Sequence, residues 1–310
     1  MKSRRFLQVD VFTATPYFGN PLAVVLDGAG LDDAAMQRFA RWTNLSETCF
    51  LLPPVAASAD YRVRIFTPGG ELPFAGHPTL GSCHSWLEAG GQPRATDFIV
   101  QECGVGLVRI RPEPPGTANR RLAFAAPPVK RSAPDPALLD QASASLGLRP
   151  RQILASQLLD NGPVWLALLL DSVDTVLHLT PDHLALAKSG VKVGVAALHA
   201  VAQPPALILR SNREARAFVS VPPQAPDFTP ALEVRAFAAP IGVNEDPVTG
   251  SLNASLAQWL IAESRLPGRY LASQGVGIGR AGQVYLERDT QGQVWVGGET
   301  VSCIDGQVVL

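Results

Sequence analysis

Glu47 lies in Ser46-Glu47-Thr48, between a polar turn and the apolar run Cys49-Phe50-Leu51-Leu52. A carboxyl held against apolar walls has a raised pKa and can take and return a proton near neutral pH. The plainer alternative is an exposed glutamate capping a turn. His77 falls in Glu71-Leu72-Pro73-Phe74-Ala75-Gly76-His77-Pro78-Thr79, and Asp246 in Asn244-Glu245-Asp246-Pro247-Val248-Thr249-Gly250-Ser251. Either could orient a substrate or assist proton movement. Equally, His77 could bond the backbone of a helix start and Asp246 could serve as an N-cap. Ser251 could donate from its helix start or cap it.

These residues need elements to hold them. The first loop follows a strand-like run, Tyr61–Ile65, and leads into a helix-like run, Leu80–Leu87. Its backbone turns at Gly69, Gly70 and Gly76, and Thr79 or the backbone near Pro78 opens the helix, with proline tolerated in the first turn. A helix start presents unpaired N–H groups and a partial positive charge, which suit a carboxylate or phosphate. The second loop repeats the arrangement, between a strand-like run at Leu232–Phe237 and an apolar run at Leu252–Ile261. Val63-Arg64-Ile65-Phe66 matches Val234-Arg235-Ala236-Phe237, an offset of 235 − 64 = 171. Asn20–Asp27 has a looser partner in Gly162–Asp171. The pattern reads as an internal duplication; if the two halves face one another, their helix starts converge on one anion-sized cavity.

Other combinations carry less. Cys83 and His84 are adjacent on a helix and point about 100° apart, so they form no dyad. Cys49, Cys103 and Cys303 read as small core residues. The histidines show no metal-ligand spacing beyond the weak His178/His183 pair, and no metal is expected. Gly277-Ile278-Gly279-Arg280-Ala281-Gly282 matches a dinucleotide fingerprint but precedes a strand-like run, Gln283–Glu287, where the fingerprint must open a helix. It reads as a glycine-rich turn, from which Arg280 could reach a bound anion.

The chain has 310 residues, enough for two domains, and is 46% apolar and 17% charged, a globular balance. A net charge of −1 suggests neither nucleic acid nor an anionic membrane as partner. Four cysteines without a Cys-x-x-Cys pair favour a reducing compartment. No signal peptide or membrane span is legible, and a soluble cytoplasmic protein is expected. Helices are expected near 31–42, 136–146 and 181–188. Strands are expected at 6–12, 22–26, 49–52, 98–101, 106–111, 121–125, 153–159, 164–170, 191–201, 206–209 and 217–221. The tail from Gly282 reads as three strands with turns at Gln291-Gly292, Gly297-Gly298 and Asp305-Gly306. The class is α+β, with mixed sheets wrapped around helices.

Taken in order, Val9–Thr13, Gly19-Asn20-Pro21-Leu22-Ala23-Val24-Val25, Asn44-Leu45-Ser46-Glu47-Thr48, Phe66-Thr67-Pro68, Glu71–Thr79 and Glu245–Ser251 resemble the PhzF-like family, named for phenazine biosynthesis. The resemblance implies a fold like diaminopimelate epimerase: two pseudo-symmetric domains, each a curved mixed sheet around a central helix, with the site in the cleft. Residues 1–118 with 299–310 would form the first and 119–298 the second. It implies cofactor-independent isomerases, often homodimeric, with a small carboxylic acid as substrate. The founding activity is isomerisation of trans-2,3-dihydro-3-hydroxyanthranilate. The family's acid/base glutamate falls on Glu47, its histidine on His77 and its aspartate on Asp246. Its helix-start glycine and serine positions fall on Gly76, Gly250 and Ser251; these, with Ser46, are the expected substrate-binding residues. Related racemases and epimerases place a cysteine at each helix start, where this chain has Ala75 and Thr249. One carboxylate working on one face therefore fits better than two-base racemisation. A racemase or an idle metabolite-binding member are the alternatives. Arg280-Ala281-Gly282 and Gln101-Glu102-Cys103-Gly104 depart from the family's usual patterns and bear on substrate shape.

Overall fold

The computed structural model describes residues 1–112, 121–199 and 229–310. In the first part of the chain the strands are β1 (Ser3–Val11), β2 (Asn20–Val25), β3 (Thr48–Leu52), β4 (Tyr61–Phe66), β5 (Glu71–Leu72), β6 (Ile99–Cys103) and β7 (Gly106–Pro112). Helix α1 (Asp33–Thr43) precedes β3, and α2 (Gly76–Glu88) precedes β6. Then come β8 (Leu122–Ala125), β9 (Lys130–Ser132), α3 (Pro136–Ser145), β10 (Ile153–Asp160), β11 (Val164–Leu170), α4 (Val173–Leu177) and α5 (His183–Lys188). The remainder is β12 (Lys192–Leu198), β13 (Leu232–Ala238), β14 (Val243–Asp246), α6 (Gly250–Ala262), β15 (Arg269–Gln274), β16 (Gly282–Arg288), β17 (Val294–Gly298) and β18 (Thr300–Val309). The architecture is α+β, with one continuous 18-stranded mixed sheet.

Strand pairing repeats itself along the chain. β2 lies parallel to β3, β3 antiparallel to β4, β4 parallel to β6 and β6 antiparallel to β7. β11, β12, β13, β15 and β16 repeat those four relations in order. Each parallel step needs a crossover; α2 makes the one from β4 to β6 and α6 the one from β13 to β15. The halves join where β8 pairs with β17. The last strand of each half crosses over: β9 pairs with β10, and β18 with β1. A bidentate ion pair is also duplicated, Arg64 with Glu71 and Arg235 with Glu245.

The two crossover helices are buried for most of their length, which explains their weak amphipathicity. Leu80 and Cys83 on α2, and Leu252, Leu256 and Trp259 on α6, belong to a single core with the inward residues of both halves. A smaller cluster under α3, α4 and α5 and another under α1 flank it.

Several expectations need correction. Helix α2 starts at Gly76, not near Thr79, because Ala75 adopts an extended N-cap and its carbonyl accepts from the Thr79 amide. Asp305-Gly306 is no turn. The strand runs on to Val309 because β1 pairs with it throughout, Gly306 facing Phe6 and Asp305 binding Arg5. Gly297-Gly298 ends a strand instead of turning. Cys49 is buried, but Cys103 and Cys303 are only partly so. The expected strands at 206–209 and 217–221, and the end of that at 191–201, lie outside the described residues. No helix among the described residues is long and apolar enough to cross a membrane.

Candidate active site

The starts of α2 and α6 meet head to head. A Cβ built on Gly250 would stand 3.0 Å from the Cα of Gly76 and 3.4 Å from the amide nitrogen of His77. Only glycine permits so close an approach of two backbones. Neither helix has a side-chain cap: Ala75 offers no acceptor, and Thr249 turns its hydroxyl away to donate to Asp246 Oδ2 at 2.6 Å. Neither helix has an acidic residue in its first turn. The amides of Gly76, His77, Gly250 and Ser251 accordingly have no acceptor among the described residues. Two sets of free N–H groups and two positive dipole ends face one spot, an arrangement suited to a carboxylate.

Glu47 enters from the bend between α1 and β3. The helix ends at Asn44 in a left-handed conformation, φ 54°, and the chain reverses into β3. This carries the Glu47 side chain, 15% exposed, to His77, which is 4% exposed. Glu47 Oε2 and His77 Nε2 are 3.4 Å apart, and neither atom has another partner among the described residues. Burial pushes the Glu47 carboxyl up to about 8; the charge on Asp246 adds to this, while a hydrogen bond with Ser46 and the charge on Lys192 oppose it. Burial alone pushes His77 down to about 3, so its ring is neutral. The Asn20 amide nitrogen approaches His77 Nδ1 at 3.4 Å, so a hydrogen on Nδ1 would face the amide hydrogens. The hydrogen-bond network therefore assigns the ring hydrogen to Nε2, toward Glu47.

Asp246 is held by the Asn20 amide at 2.8 Å and the Thr249 hydroxyl. Burial raises it to about 6 against those two bonds. Asn20 also donates to the Val248 carbonyl at 2.9 Å, so one residue at the head of β2 ties Asp246 to the approach to α6 while lying against His77. Gln274, fully buried, donates to the Thr249 hydroxyl and the Asp246 carbonyl and accepts from the Thr249 amide. Ser46 Oγ lies 3.4 Å from Asn20 Oδ1, and Ser251 Oγ accepts from Trp165 Nε1 at 3.1 Å.

Glu47, His77, Asp246, Ser46, Gly76, Gly250 and Ser251 thus share one site. Arg280 does not join it: its guanidinium binds the carbonyls of Tyr17 and Gly19, bracing the loop before β2. Residues 277–282 pass from a short 3₁₀ turn directly into β16, with no helix to receive a pyrophosphate. Among the described residues, no group of three His, Cys, Asp or Glu side chains could hold a metal ion. Sequence reasoning missed Asn20, Gln274 and Lys192. For Asn20 the signal was present: a polar residue and proline set directly against a buried strand.

Comparison with known proteins gives the family of the chain. The model of the phenazine biosynthesis-like protein family matches residues 9–306. Antisense-enhancing sequence 1 of Schizosaccharomyces pombe is 31% identical, with 99% of each chain covered. The trans-2,3-dihydro-3-hydroxyanthranilate isomerase of Pseudomonas aeruginosa is 32% identical, again with 99% of each covered. Among solved structures, a Bacillus anthracis phenazine biosynthesis protein of the PhzF family superposes over 100% of both chains with a TM-score of 0.80 at 22% identity, a likeness of fold. Matched from residue 9 to residue 306 and alignable nearly end to end with a named isomerase, the chain belongs to the phenazine biosynthesis-like protein family and is an isomerase.

Proposed function

We propose that the protein moves a proton between two carbons of a small cyclic or aromatic-like carboxylic acid, without a cofactor, using Glu47 as a single shuttle. The observation that carries this reading is the placement of Glu47 against neutral His77, beside two uncapped helix starts joined at Gly76 and Gly250. The substrate carboxylate binds the free amides of Gly76, His77, Gly250 and Ser251. Ionised Glu47 removes a proton from a carbon conjugated with that group. The C–H electron pair moves into the conjugated system, and negative charge builds toward the carboxylate, where the helix starts stabilise it. Glu47 then returns the proton to another carbon on the same face, and the electron pair settles into the shifted double bond. His77 Nε2–H donates to the Glu47 carboxylate while it is charged, and Asp246 orients the substrate's polar substituent.

The helix-start positions hold Ala75 and Thr249, which offer no thiols for two-base racemisation. The P. aeruginosa relative's substrate, a hydroxylated cyclic amino acid by its name, belongs to the proposed class. We also propose two domains, 1–118 with 299–310 and 119–298, a division supported by β18 lying on β1. Incubating the protein with cyclic unsaturated acids of this class in deuterium oxide tests the function. A substrate should isomerise, with partial carry-over of its own hydrogen and partial exchange. Complete incorporation of solvent deuterium at the receiving carbon, with no carry-over of the substrate's own hydrogen, is the result against a single shuttle.

A further inference from the structure

Glu47 and Lys192 occupy equivalent places in the two halves. Thr48 stands opposite Phe66 in the β3–β4 ladder, and Val193 stands opposite Phe237 in the β12–β13 ladder. Phe66 and Phe237 close the matched runs Val63–Phe66 and Val234–Phe237. The residue before each ladder partner is therefore Glu47 in one half and Lys192 in the other. The repeat delivers a carboxyl from one side of the helix junction and an ammonium from the other.

The surroundings of Lys192 place it at the site. Trp165 is its direct neighbour in the parallel β11–β12 pair. The Lys192 ammonium lies over the Trp165 ring, 5.5 Å from the centroid, and the indole N–H of Trp165 donates to Ser251 at the start of α6. Lys192 is half-buried and forms no ion pair among the described residues. Burial lowers its pKa, while Glu47 and Asp246 are near enough for their charges to oppose that shift. A strongly hydrated ammonium is not withdrawn from water without a compensating charge.

The charges around the junction are uneven. Near neutrality Glu47 keeps its proton and His77 is uncharged, which leaves Asp246 as the ionised acid whose charge reaches Lys192, beside two positive helix ends. One substrate carboxylate satisfies the helix ends and leaves the Lys192 ammonium, over the Trp165 ring that bonds Ser251, without an ion-pair partner among the described residues. We propose that Lys192 binds a second acidic group on the substrate, so that the site selects dicarboxylic over monocarboxylic acids. This rests on reading the helix starts as the cradle for the first carboxylate.

Calorimetric titration of the full chain with benzoate and with isophthalate separates the two ideas. Isophthalate should bind the parent protein about tenfold more tightly than benzoate, the size expected of a charged hydrogen bond. In Lys192→Met that preference should vanish while benzoate affinity stays within about twofold, less than the loss of even a neutral hydrogen bond would cost. Lys192→Gln serves as the second variant if methionine unfolds the protein. Benzoate binding with no preference for isophthalate overturns the Lys192 assignment alone. A preference that survives in the variant also overturns it. Failure of both acids to bind the parent chain overturns the cradle and the assignment together.

Discussion

Gly76 and Gly250 touch backbone to backbone, and this contact holds the two halves of the site together. A Cβ on Gly76 would stand 2.8 Å from Phe124 Cζ and 3.0 Å from the Gly250 Cα, while the three atoms nearest to one on Gly250 all belong to the other helix start, none closer than 3.0 Å. Gly76→Ala should destabilise by about 1–3 kcal/mol, the usual cost of overpacking a closed core. Gly250→Ala should cost less in stability and weaken benzoate binding, because it pushes the free amides apart. Chemical denaturation and titration of the two variants check this. Unchanged acid binding in Gly250→Ala would mean that the helix starts do not act together.

Glu47→Gln should abolish isomerisation and also alter the pH dependence of stability. The folded carboxyl, at about 8, lies above the unfolded reference of 4.5. Between those values the folded state keeps a proton that the unfolded state has lost, so stability falls as pH rises and the penalty is complete above the folded value. The parent chain should lose up to about 1.4 kcal/mol per pH unit across that window from this group, and the glutamine variant should lack that slope. Urea unfolding at pH 5, 6, 7 and 8 measures the difference. Parallel curves for the two proteins would place Glu47 in water.

His77 should stay neutral wherever the protein is folded at moderate pH, since burial holds it at about 3. Its ring proton resonances should show no titration between pH 5 and pH 8. A midpoint near the ordinary histidine value of 6.5 would contradict a neutral donor facing Glu47.

Much of the architecture was legible in the sequence because the duplication preserved local pattern. The matched runs at Val63 and Val234, each followed by a loop and a helix start, located both cradles. What failed to show was the chemistry that differs between copies. The repeat pairs Glu47 with Lys192, and by the offset between the helix-start glycines it pairs His77 with Ser251 and Leu72 with Asp246. Symmetric scaffolding thus carries an asymmetric site. Lys192 lies 43 residues before Arg235, whereas Glu47 lies 17 before Arg64, because the segments between β3 and β4 and between β12 and β13 differ in length. Spacing along the chain could not align them; the strand register does. The mistaken turn at Asp305-Gly306 has a similar origin, since pairing with β1, some 300 residues away, outweighs the local preference of that dipeptide.

Thr249 shows how the asymmetric site is stabilised. Its hydroxyl donates to Asp246 at 2.6 Å and accepts from Gln274 at 2.9 Å, inside a region with no exposed surface at Gln274. Thr249→Val keeps the shape and removes both bonds. It should cost about 1–3 kcal/mol, because a buried donor and a buried carboxylate oxygen each lose a partner. Gln274→Leu should cost a similar amount, since it strips the amide of Thr249 and the side chain of Asn253 of their shared acceptor. The double variant should be less destabilised than the sum of the two, since after the first change part of the network that the second disrupts is already gone. Denaturant unfolding of the four proteins measures the coupling. Strict additivity would show that Thr249 and Gln274 stabilise the fold independently, with no shared network around Asp246.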